Sequence, residues 1–198
     1  MCIRDRPKPG APDAPGAPNA QLVAALPSAQ VAERVVGASA LAIRDALVRQ
    51  DFAAVARHVA PGRGVCLAAS KGAACRFMSR AELAACGKSQ RRERWAVDSG
   101  RDEPFVLTCR QAMRQIFLGH EGLARASPSY NCFRRRPDNS GAALLRPALG
   151  AEVYVELFAD DPDLPGEGFG WRSLWLVFAP AGPDAHHLVA LVSHYWSI

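Results

Sequence analysis

The chain predicts an α+β domain in which a curved antiparallel sheet wraps on N-terminal helices. Three observations carry this. Apolar residues recur at helical spacing near the start, with Val36, Ala40, Ile43 and Leu47 on one stripe. The last third instead reads as long runs of β-branched and aromatic residues, at 152–158, 171–179 and 188–198. Helices followed by strands, rather than alternating with them, give helices on one face of an antiparallel sheet.

The first helix starts at Pro27-Ser28, with Ser28 as N-cap. Arg44, Asp45, Arg49 and Gln50 take its polar side. Asp51 caps a second, short helix carrying Phe52, Val55 and Val59, which Pro61-Gly62 and Gly64 end with a turn. Residues 64–69 read as a buried strand. Ser79 with Glu82 forms a capping box ahead of a brief helix that stops at Gly87. Residues 94–98 alternate as a strand. Thr108 with Gln111 is a second capping box, opening a helix with Ala112, Met113, Ile116 and Phe117 on one side and Gly119 at its end. Residues 120–150 read as loop. Val153, Val155 and Leu157 then alternate with Tyr154, Glu156 and Phe158. A Gly-Pro-Asp turn at 182–184 joins the last two strands, and both faces of this hairpin are apolar, so both are expected to be covered.

Composition bounds the function. The 198 residues are 49% hydrophobic and 22% charged, enough for one packed core. No run approaches 18 apolar residues, so no transmembrane helix is predicted. Arginine supplies 21 of the 24 cationic residues, a bias that codon usage explains before function does. The net charge of +5 is too mild to imply nucleic acid, and the basic runs Arg91, Arg92, Arg94 and Arg134 to Arg136 lack the interleaved aromatics that stacking on bases needs. The acidic stretch 151–170 contains no Lys or Arg. Solvated loop charge accounts for this segregation first, and steering of an anionic partner such as a membrane surface or cell-wall polymer is the alternative.

Residues 1–27 are predicted to be a disordered tether, and 28–198 a single domain. Pro7, Pro9, Pro12, Pro15 and Pro18 recur among Ala and Gly, a semi-rigid spacer. No apolar signal core is present, and the opening Met-Cys-Ile-Arg-Asp-Arg fits neither a signal nor a tether. The expectation is a truncated or artefactual start with the export signal missing, on a periplasmic or extracellular protein. Cys2 is given no role.

Five further cysteines, Cys66, Cys75, Cys86, Cys109 and Cys132, show no metal-site spacing, so neither a metal nor a cofactor is expected. They are buried thiols or disulfides, with at least one disulfide favoured. Cys66–Cys75 and Cys109–Cys132 are the candidate bridges, and spacing leaves the connectivity open. The acidic run Asp160-Asp161-Pro162-Asp163 with Glu167 lacks calcium-loop spacing. No Gly-x-Ser-x-Gly or Cys/His arrangement supports a nucleophile.

The order of elements resembles the cystatin-like, nuclear-transport-factor-2-like cone, whose open end forms a pocket. A closer resemblance lies in Trp171-Arg-Ser-Leu-Trp-Leu-Val-Phe178 and Leu188 to Ile198. These are similar to the closing hairpin of a family of uncharacterised bacterial exported proteins, Trp-x-Ser-Leu-x-Leu-Val-Phe followed by a strand ending Trp-Thr-Ile. His58 to Val65 resembles that family's His-Pro-x-x-Gly-Val segment, and Trp95 to Pro104 its Trp-x-x-x-Asp-Gly-Ser-Gly-x-Pro stretch, here altered after Asp98. The likeness covers roughly residues 40–198. Where the family often carries His-Asp before the closing Trp, this chain has Ser193-His194. A one-residue shift in a strand turns the histidine to the other face, which argues against His194 as an inherited catalytic residue.

Candidate site residues follow from the strands. Tyr154 and Glu156 share a face. If it looks into the cone they are polar groups in an apolar pocket; if it looks to solvent they are an ordinary surface. His194 and Trp196 share a face of the last strand, with Trp175 on its partner. His58 either lines the cone mouth or caps its helix. The leading expectation is a non-catalytic domain binding a small ligand or a cell-envelope partner through Tyr154, Glu156, Trp175, His194, Trp196 and His58. The alternative is an isomerase-, dehydratase- or cyclase-like enzyme using Glu156 or His194 for proton transfer. A homodimer through the sheet face is a third reading.

Overall fold

A computed structural model describes residues 26–69, 75–95, 105–118, 121–132, 153–160, 171–182 and 185–196. The proline-rich segment through residue 25, residues 98–102, Arg134 to Arg136, the acidic run 161–167 and the side chain of Trp196 lie outside them.

Helix α1 (Ala29–Val48) starts at Ser28, whose hydroxyl accepts from the Val31 N–H at 3.3 Å. Its predicted stripe is the buried one: Val36, Ala40, Ile43 and Leu47 all face the core, joined by Ala32. Gly37 lies where α1 meets Tyr130; a Cβ there would stand 3.5 Å from the tyrosine hydroxyl. Gln50 turns the chain at positive φ, and Asp51 caps α2 (Phe52–Ala56) by accepting from the Ala54 N–H at 3.0 Å. The turn at 61–64 then needs left-handed backbone at Gly62 and Gly64. Gly64 is doubly constrained, because a Cβ would stand 2.6 Å from the Met78 carbonyl oxygen.

Strands β1 (Val65–Ala69), β2 (Arg76–Met78), β5 (Pro128–Tyr130), β6 (Val153–Asp160), β7 (Trp171–Gly182) and β8 (Ala185–Trp196) form one sheet in the order β2-β1-β8-β7-β6-β5. The β1–β8 pair is parallel and the rest are antiparallel. The three long strands stand as predicted. The sheet is curved and the fold mixes helix and sheet, in keeping with the α+β expectation.

Strand parity sorts the sheet into two buried faces. Val153, Val155, Leu157, Leu174, Leu176, Leu188 and Leu191 pack with α1 and α2 in one cluster. Tyr154, Trp175, Val177, Val192 and Cys66 belong to another, on the opposite face. Strand parity also puts Ser193 and His194 on opposite faces. The Ser193 hydroxyl donates to the Ile116 carbonyl at 2.6 Å on the helix side, whereas the His194 ring lies against Trp171 and Trp175.

Several short elements were not foreseen. β2 is one, and β5, with a 3₁₀ turn at Glu121–Arg125, interrupts the segment expected to be loop. Strand β3 (Arg92–Trp95), shifted from the predicted 94–98, pairs with β4 (Phe105–Thr108) in a separate hairpin. Trp95 and Leu107 of that hairpin join the helix-side core. Both capping boxes form, at α3 (Arg80–Ala85) and at α4 (Cys109–Ala112). Beyond Ala112 the helix widens into a π-helix at Met113–Leu118.

Two disulfides brace these short elements. Cys66–Cys75 is one of the bridges the spacing allowed. Cys109 pairs with Cys86, joining the end of α3 to the first residue of α4, so the Cys109–Cys132 alternative is corrected. The reason is placement. Cys109 opens α4 beside α3, while Cys132 follows β5 at the opposite edge of the sheet. Among the described residues no helix is long and apolar enough to cross a membrane.

Candidate functional site

Strand β6 lies between β5 and β7, and its alternate residues Tyr154, Glu156 and Phe158 turn away from the helices. Glu156 is opposite Ser129 on β5 and opposite Trp175 on β7. Its side chain is only 1% exposed. Burying a carboxylate costs several kcal/mol unless it is hydrogen-bonded, so its donors matter. Oε1 accepts from the Ser173 hydroxyl at 2.7 Å and from the Trp175 indole N–H at 3.4 Å. The Ser129 hydroxyl stands 3.4 Å from Oε2 and 3.0 Å from the Cys132 carbonyl, one proton shared between two acceptors.

Aromatic rings surround this group. His194, directly opposite Ser173, has its ring 4.8 Å from that of Trp171 and 5.8 Å from that of Trp175. The Tyr154 and Trp175 rings are tilted with centroids 6.5 Å apart, and Phe158 stacks on Trp171 at 6.0 Å. At the edge, Asn131 adopts φ +46° and joins three segments. Its Oδ1 accepts from the Tyr154 N–H at 2.9 Å, its own N–H donates to the Tyr154 carbonyl at 2.9 Å, and its Nδ2 donates to the Pro27 carbonyl at 2.8 Å.

Four of the predicted site residues, Tyr154, Glu156, Trp175 and His194, therefore share one sheet face. That face is neither of the two settings expected for it. It looks away from the helices, so it is not the helix-lined side of a cone, and it is buried, so it is not an exposed surface. The backbone of Trp196 pairs with Trp171 in the same ladder. His58 is not brought to this group. Its carbonyl accepts from the Leu188 N–H at 2.8 Å, next to the Val59–Leu188 bridge. Leu188 is six residues along β8 from His194, about 20 Å in a strand. Burial, and then the neighbouring Arg57 charge, hold the His58 ring below the ordinary histidine range.

Ser129, Ser173 and Asn131 are functional neighbours that the sequence reading missed. Ser173 was findable, since it lies midway between Trp171 and Trp175 and so shares their face. Ser129 was not, because β5 has no strand signal of its own.

Comparison of the chain with protein-family models, with curated proteins and with solved structures finds no match.

Proposed function

We propose that this chain is a non-catalytic binding domain of an exported bacterial protein, built as a nuclear-transport-factor-2-like cone. The observation that carries the non-catalytic reading is the state of Glu156. Both carboxylate oxygens already have donors within their own sheet, at 1% exposure. A general base instead needs a lone pair within reach of a substrate proton. Glu156 on this reading organises the centre of the sheet. His194, wedged between two indoles on the same face, is likewise a packing residue.

The cone is supported by the order of elements, two helices before the sheet, and by β1 lying parallel to the last strand. Export is supported by the two disulfides among the described residues, since disulfides persist in oxidising compartments.

The test is a native mass spectrum of the full chain produced in a bacterial periplasm, beside its Glu156→Gln variant. A non-covalent mass retained equally by both supports a binding domain whose site is not Glu156. A mass carried by the native chain and lost from the folded variant would make Glu156 a ligand contact and overturn its role as an organising group of the sheet, and a native chain that carries no mass would count against the binding domain.

A further inference from the structure

We draw no further inference here: the strongest candidate, the basic patch that exposed Arg92 and Arg94 make beside Val106 on the β3–β4 hairpin, carries nothing because the segment joining the two strands, with the acids Asp98, Asp102 and Glu103, lies outside the described residues and nothing in the structure shows what covers the patch.

Discussion

The Glu156 carboxylate and the Ser173 hydroxyl stand 2.7 Å apart on neighbouring strands, on the sheet face turned away from the helices. The pair sits among tryptophan rings, where an unmet charge would be costly. Its energetic weight is open to measurement. Replacing Glu156 with Ala removes the acceptor that the buried Ser173 hydroxyl and Trp175 N–H share, so a loss of about 3 kcal/mol is expected. Ser173→Ala removes a buried hydrogen bond to Glu156 and should cost about 2 kcal/mol. In a chain of this length those losses lower Tm by about 6–12 °C and about 4–8 °C. A Glu156→Ala protein as stable as the native one would show that the carboxylate is not part of the architecture.

Gly62 and Gly64 make a graded pair. Both have positive φ, at +76° and +75°. Alanine at Gly62 meets only the left-handed backbone penalty, about 1–2 kcal/mol. At Gly64 it must also displace the Met78 carbonyl from 2.6 Å, so a loss of more than about 3 kcal/mol is expected. Chemical denaturation of the two variants gives the order, and a reversed order would contradict the turn described here.

How much of this was legible in the sequence depended on length and on parity. The long strands were visible because each holds eight or more residues rich in Val, Leu and aromatics. Strands β2, β4 and β5, at three or four residues, are too short to show a period, and they are held by their neighbours in the ladder. Parity was harder. Because both faces of β6 and β7 are apolar, alternation could not tell which set meets the helices. The structure turns the aliphatic set Val153, Val155 and Leu157 toward α1, and the set holding Glu156 away. The cap residues Ser28, Asp51, Ser79 and Thr108 were readable because their signal is local. The Cys86–Cys109 bridge was not, since it depends on the β3–β4 hairpin bringing its ends together.

The two disulfides between described residues should appear directly in a non-reducing peptide map as Cys66–Cys75 and Cys86–Cys109 linked peptides. Loops of these lengths contribute about 3 kcal/mol each by limiting the unfolded chain. Replacing Cys86 and Cys109 together with serine should therefore lower Tm by about 6–12 °C. A map that links Cys109 to Cys132 would contradict the placement of α3 beside α4.

His58 gives a pH dependence with a definite sign. Burial, then Arg57, hold its ring below the ordinary histidine range, so the unfolded chain takes up the proton first as pH falls. Its contribution to stability is present above the ordinary histidine value and is lost as pH drops through the folded value. Tm should fall on acidification from neutral pH to about 5, and His58→Gln should flatten that slope. An unchanged slope would show that the ring is freely solvated.

The central claim is that Glu156 is closed off within its own sheet. Carbodiimide labelling of carboxylates in the folded full chain, read residue by residue by mass spectrometry, tests it most directly. The account predicts that exposed Glu33 is modified while Glu156 stays unmodified until the chain is unfolded. Modification of Glu156 in the folded protein at a rate close to that of Glu33 would contradict it, and would return this carboxylate to the candidates for proton transfer.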